Sequence, residues 1–493
     1  MKALYSSVLL YLALFGCKKE TPLPPGPSKS LVIFCGAGIR AAMEPLKASF
    51  EKENKVIVKV NYAGSGVLLG KLQAGVPADL FLPGDIFYVD KAEELGYVAR
   101  SSVVAWFVPV IGVPKGNPKA IKKLEDLARP DVRVGLGRAE ACAVGRVAQE
   151  ILKEKNLLSK VKPHYESMTV NDLANQLKLK ALDAAIIWDA TARQYGEDLE
   201  VVDLEDPFFY AVPLPMAVLK KAQAPDLADA FLKFATSEKR AKYFRENYYR
   251  VPGKTLRIAS GSSFRPVVEE LAKRFEETTG CKTLRDYGGS GVVLLQIEES
   301  KEGDIYICHD PFAYVCEDKG IAEKWYTIAY IHPVLAVKKG NPKKVKGLKD
   351  LLRDDLRLGL PHREYSTRGK ILWTILEKAG FAEAIRKRKF YESRTHDLIN
   401  QLKLGTVDVA VLWDAPTKEM PDLDAVPIEE KYKVDSITSP TSGRTYSLEH
   451  VKVTLVRLKF SKEPLLAAQF ARFCLSEEGR KILAKHCFVL PPK

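Results

Sequence analysis

The stretch NQLKLKALDAAIIWDA, from Asn175 to Ala190, is written again as NQLKLGTVDVAVLWDA from Asn400 to Ala415. The repeat is longer than this one sentence. LVIFCGAGIRAAMEPL (Leu31–Leu46) returns as LRIASGSSFRPVVEEL (Leu256–Leu271), NYAGSG (Asn61–Gly66) as DYGGSG (Asp286–Gly291), ADLFLPGD (Ala78–Asp85) as GDIYICHD (Gly303–Asp310), and PKGNP (Pro114–Pro118) as KKGNP (Lys338–Pro342). Solenoid periods run to about 50 residues, so a repeat this long is a duplicated domain. The offset is 225 at Leu31 and Leu256 but 239 at Phe234 and Phe473. The second copy therefore carries an insertion near Ser436–Tyr446, which reads as a surface loop. The joint, Val251 to Lys254, is short enough for the copies to touch.

Inside each copy the periods alternate. SLVIFCG is a strand-like run that stops at Gly36. AAMEPLKASFEKEN follows with Met43, Leu46 and Phe50 at helical spacing, and Pro45 places that residue early in its helix. KVIVKVNY alternates as a strand, VLLGKLQAG is a short helix ended by Gly75, and ADLFL is the next strand. Such an order is α/β with a mainly parallel sheet, in which ligands gather at the carboxyl ends of strands.

The first residues differ from the rest. Lys2 precedes an apolar run, Ala3–Phe15, followed by LFGC (Leu14–Cys17) and two lysines. A short apolar run behind a positive residue is a secretory leader rather than a membrane span. Residues 20–30, ETPLPPGPSKS, have the composition of a semi-rigid tether. The organisation expected is a leader at 1–17, a tether at 18–30, and modules at 31–252 and 253–493. Seven cysteines remain beyond Cys17, an odd number with no CxxC pair, which is no disulfide framework. Seven scattered histidines give no metal-ligand spacing. The net charge is +14. With no nucleic-acid-binding motif beside them, basic runs such as Arg386–Lys389 read as a solvated face, and no nucleic-acid partner is expected.

Three loops lead small residues into helix starts. Gly64-Ser65-Gly66 and Gly289-Ser290-Gly291 place a hydroxyl where free backbone N–H groups point outward. The bland alternative is an ordinary N-cap serine. Cys35–Gly38 matches Ser260–Ser263, and Ala141–Arg146 matches Tyr365–Lys370. The repeated strands DAAIIW and DVAVLW end at Trp188-Asp189 and Trp413-Asp414, near the same edge. A core aromatic and a helix-capping aspartate are the plain readings of that pair.

Taken in order, these loops, "GxPADLF", "PKGNP", the "VNDLxxQL" helix and the tail "FLKFATSEKR" resemble the molybdate-binding proteins of bacterial ABC importers, a family of type II periplasmic solute-binding proteins, here duplicated in tandem. The resemblance implies two modules, each of two α/β lobes around a cleft. It places the anion donors on Ala37, Gly38, Ser65, Val144, Val170 and Trp188 in the first copy. In the second it places them on Ser262, Ser263, Ser290, Arg368, Thr395 and Trp413. LFGC resembles a lipobox, which implies a lipid on Cys17, a membrane anchor, and a periplasmic or surface location beside an ABC permease. Two departures stand out. Gly38 lacks the hydroxyl expected there, and both copies have Trp for the expected Tyr.

The chemistry narrows the guest. Molybdate, tungstate and sulfate are fully deprotonated dianions and only accept hydrogen bonds. Phosphate keeps a proton and wants an acceptor, for which Asp189 and Asp414 are the candidates. Molybdate, then tungstate, is the leading expectation, with no cofactor and no metal cation. A sensor with one degenerate module, or a receptor for phosphate or sulfate, is the alternative. An enzyme lacks support, because no nucleophile stands beside a base.

Overall fold

The computed structural model describes residues 30–492, apart from 364, 365, 394, 433, 439–442, 444, 448 and 449. The leader, Cys17 and nearly all of the tether lie outside the described residues.

Ten strands build the first half: β1 Ser30–Gly36, β2 Ile57–Ala63, β3 Leu80–Leu82, β4 Val98–Phe107, β5 Pro109–Pro114, β6 Val134–Gly137, β7 Pro163–Ser167, β8 Ala184–Trp188, β9 Leu199–Val202 and β10 Val212–Leu219. They form two five-stranded sheets, ordered β2-β1-β3-β10-β4 and β7-β6-β8-β5-β9. The chain crosses between lobes at Val108 and returns after β9. In each sheet one strand runs antiparallel to its neighbours, β10 in the first and β5 in the second. Both are strands that have just crossed. A chain arriving from the other lobe enters at the cleft, so it runs away from the end where the parallel strands finish. That is why the sheets are mainly, and not wholly, parallel.

The second half repeats this plan with β11 Thr255–Gly261, β12 Lys282–Gly288, β13 Ile305–His309, β14 Ala322–Ile331, β15 Pro333–Lys338, β16 Leu358–Pro361, β17 Phe390–Ser393, β18 Val409–Trp413, β19 Leu423–Pro427 and, after the insertion, β22 Val451–Leu458. The sheets are β12-β11-β13-β22-β14 and β17-β16-β18-β15-β19. The insertion is not all loop: β20 Ser436–Thr438 pairs antiparallel with β21 Thr445–Ser447. Short alternating segments rich in Thr, Tyr and Ile favour pairing over irregular chain.

Local chemistry explains most elements. Every residue of β8 and β18 is buried, as their unbroken apolar runs require. The helix Arg40–Asn54 turns Met43, Leu46 and Phe50 inward. Pro45 sits in its second turn rather than its first. The helix tolerates this because only the Ala41 carbonyl loses a partner.

The two halves pack directly. Trp106, Val108 and Ala211, at the lobe crossing of the first, join the hydrophobic core of the second. Arg457, 2% exposed, donates to Asp206 at 2.7 Å and to Glu323 at 2.8 Å. Phe209 stacks on Tyr326 at 5.5 Å, and Gln469 Nε2 donates to the Phe208 carbonyl at 2.6 Å.

Candidate functional site

Four helix starts converge on a cleft between the lobes of the first half. They are the turn Ala37–Ile39 leading into Arg40–Asn54, and the helices beginning at Ser65, Ala143 and Val170. Helix starts carry unsatisfied N–H groups and the positive end of the helix dipole. Ala37, Gly38, Ser65, Val144, Val170 and Trp188 all line this cleft, and none of its lining residues is charged.

Ser65 is not spent on its own helix. Gly64 is the N-cap, and Ser65 is the first helical residue. The Ser65 hydroxyl oxygen accepts from the Gly84 N–H at 2.9 Å. Its proton is therefore left to donate elsewhere. Trp188 stacks on Phe107 with ring centres 4.6 Å apart and planes 3° from parallel. Its pyrrole edge faces Gly38: a Cβ on Gly38 would lie 3.6 Å from Trp188 Cδ1. Among the described residues nothing accepts from its indole N–H. A Cβ on Gly38 would also meet Val170 Cγ1 at 2.8 Å, so the missing hydroxyl has a steric cause.

The lobes of this half touch across the cleft. Gly66 N–H donates to the Ala141 carbonyl at 3.1 Å. A Cβ on Gly64 would come within 2.4 Å of the carbonyl oxygens of Ala141 and Met168. Glycine at this position is required by that approach. Asp85 N-caps the helix Ile86–Glu94 by accepting from Phe87 N–H, and also accepts from Arg146 Nε at 2.6 Å on the opposite lobe. Burial raises its pKa, and Arg146 opposes that shift.

The second cleft uses other side chains at matched places. Ser262 and Ser263 form the turn after β11, Ser290 opens the helix Ser290–Ser300, and Arg368 lies in the first turn of Thr367–Lys378. Thr395 begins the helix Thr395–Leu404. Ser290 Oγ lies 2.8 Å from where a Cβ on Gly261 would sit, which joins the first two loops. The Arg368 guanidinium is 5.8 Å from the Trp413 ring centre. His309 stands where the first half has Gly84, with its ring 5.4 Å from that of Trp413. Among the described residues a Cβ on Gly289 would meet Val292 Cγ2 at 3.9 Å.

The two candidate acceptors are engaged elsewhere, which corrects the expectation for them. Asp189 Oδ2 accepts from Arg250 Nε and Nη2 at 3.0 and 2.8 Å, its Oδ1 accepts from Ala190 N–H, and it does not line the first cleft. Asp414 accepts from His332 N–H at 2.9 Å and faces the His332 ring at 3.3 Å. Each carboxylate opens a helix and ties it to the lobe crossing. Sequence reasoning missed Phe107 and Gly84 as cleft residues, and His309 at the place matched to Gly84. The Gly84–His309 difference lies inside a matched motif, and that mismatch was the available signal. Among the described residues no cluster of His, Cys, Asp and Glu could hold a metal ion, and no helix is long and apolar enough to cross a membrane.

Two mixed sheets joined by crossing strands, with helix starts facing a cleft, define a periplasmic-type binding protein. The family of bacterial extracellular solute-binding proteins matches twice, over residues 31–250 and 256–489, and the chain belongs to that family. It is similar to a putative binding protein of Haemophilus influenzae, 26% identical over 223 residues, covering 44% of this chain and 89% of the relative. A molybdate-binding protein of Mycobacterium bovis is 26% identical over 238 residues, covering 47% of this chain and 90% of the relative. Among solved structures, the Azotobacter vinelandii periplasmic molybdate-binding protein is 17% identical with a TM-score of 0.41, covering 45% of this chain and 100% of its own.

Proposed function

We propose that the chain is a lipid-anchored receptor outside the cytoplasm that captures a tetrahedral oxyanion, molybdate first and tungstate next, for an ABC importer. The observation that carries this reading is the Ser65 hydroxyl. It accepts from Gly84 N–H and so presents its proton to a cleft with no charged lining residue. A fully deprotonated dianion is the guest such a site suits, because every donor can be used and no acceptor is left facing it. Relatives named as molybdate-binding proteins support the same choice. Cys17 would bear the lipid, residues 18–30 would hold the modules off the membrane, and modules at 31–252 and 253–493 would each close on ligand. Closure would present a joined pair of lobes to the permease.

Calorimetry on the purified chain with molybdate, tungstate, sulfate and phosphate tests this. Binding of molybdate, weakened by Ser65→Ala, is the expected result. No uptake of molybdate or tungstate overturns it. Radiolabelled palmitate on the wild-type chain but not on Cys17→Ser tests the anchor.

A further inference from the structure

The two clefts differ at three matched positions that bear on the charge and hydrogen bonding of the guest. Gly84 of the first becomes His309, Val144 becomes Arg368, and Gly38 becomes Ser263. Arg368 is 4% exposed. Burial brings its pKa down only to about 10, so it remains a cation at neutral pH. A guanidinium placed there brings a charged donor group where Val144 of the first cleft offers only its backbone N–H.

His309 brings the opposite kind of group, an acceptor. Its Nδ1 lies 2.8 Å from the Asp310 carbonyl oxygen. A carbonyl only accepts, so Nδ1 carries the proton. In a neutral ring Nε2 is then a bare lone pair. Burial, with the charge of Arg368 as a lesser cause, holds the pKa near 4, so the ring stays neutral. The ring packs among Phe264, Phe312 and Trp413 yet remains only partly buried. Among the described residues nothing donates to Nε2. The imidazole thus replaces the glycine that lines the first cleft and brings a fixed acceptor beside Trp413, within the field of the Arg368 charge.

We propose that the second cleft holds a tetrahedral oxyanion that retains a proton, of which hydrogen phosphate is the type. Arg368, Ser263 and Ser290 donate to its bare oxygens, and His309 Nε2 accepts from its P–OH. This rests on the reading of both clefts as oxyanion sites. It divides the labour between them: the first suits an anion with no proton, the second an anion with one. A molybdate ion in the second cleft would set an oxygen lone pair against the Nε2 lone pair, a mismatch that weakens its binding there.

The test is calorimetry on the purified full chain with inorganic phosphate, alone and after saturation with sodium molybdate. The expected result is one phosphate per chain, unaffected by molybdate. His309→Phe keeps the ring packing without the lone pair and should weaken phosphate at least about tenfold. His309→Gln, whose amide oxygen can accept, should bind phosphate more tightly than His309→Phe does. Arg368→Met should also lose phosphate. The proposal is overturned if phosphate does not bind, if phosphate and molybdate compete for one site, or if a folded His309→Phe binds phosphate like the parent. The molybdate reading of the first cleft fails separately, by absence of molybdate binding while phosphate still binds.

Discussion

Arg146 Nε reaches Asp85 Oδ2 at 2.6 Å, although 61 residues separate them and they belong to opposite lobes. The contact ties the two lobes together next to Gly84, a residue that lines the first cleft. Arg146 also donates to Glu150 at 3.1 Å, and Glu150 in turn accepts from Arg472 of the second half. One row of charges therefore runs from the contact between the lobes to the junction of the halves. Asp85 is fully buried, so removing its partner strands a charge, a change that costs about 3–5 kcal/mol. Arg146→Met should lower the melting temperature and raise the Kd of the first cleft. Arg472→Met should raise that Kd less, by several-fold. Calorimetry and thermal melts read both effects.

Ser65→Ala should weaken first-cleft binding by about 1–3 kcal/mol, or roughly five- to 150-fold in Kd. The melting temperature should fall as well, because the buried Gly84 N–H loses its acceptor, although the helix keeps its Gly64 cap. A large loss of stability with unchanged Kd would return Ser65 to a structural role.

Gly38→Ser restores a hydroxyl but places its Cβ 2.8 Å from Val170 Cγ1. Overpacking of this kind costs about 1–3 kcal/mol. The single variant should bind more weakly than the parent. Gly38→Ser with Val170→Ala should recover binding, as read by isothermal titration.

Asp310 is 1% exposed. Its Oδ2 accepts from Lys452 N–H, and among the described residues its Oδ1 has no partner. Burial raises its pKa from 3.8 to about 6. The folded state therefore holds the proton more tightly than the unfolded chain. The resulting stability is fully present below pH 3.8 and is lost as pH rises to about 6. Asp310→Asn keeps an acceptor for Lys452 and removes the buried charge. It should raise the melting temperature at pH 8 by a few degrees, with the gain vanishing near pH 4.

Asp206 and Arg457 form a buried pair across the two halves. Asp206→Ala should destabilise the chain by about 3–5 kcal/mol, and Arg457→Met added to it should recover part of that loss. Denaturant melts of the parent, the two singles and the double complete the cycle.

Much of this molecule was legible in its residues. The duplication, the alternation of strand and helix, the buried β8 and β18, and the loops that meet at the first cleft all follow from period, glycine and short-range pattern. Such signals are local, set by backbone geometry within a few residues. What remained hidden depended on partners far apart in the chain. Nothing near Asp189 announces Arg250, and nothing near Gly38 announces that Val170 fills the space a serine would need. The Trp188 indole lies flat on Phe107 because two lobes bring β4 and β8 together at the crossing. The residue types and their order come from the sequence alone. Which side chains face the guest, and which are already engaged, was decided when the lobes packed, because a contact between distant residues has no energy until the fold sets the distance.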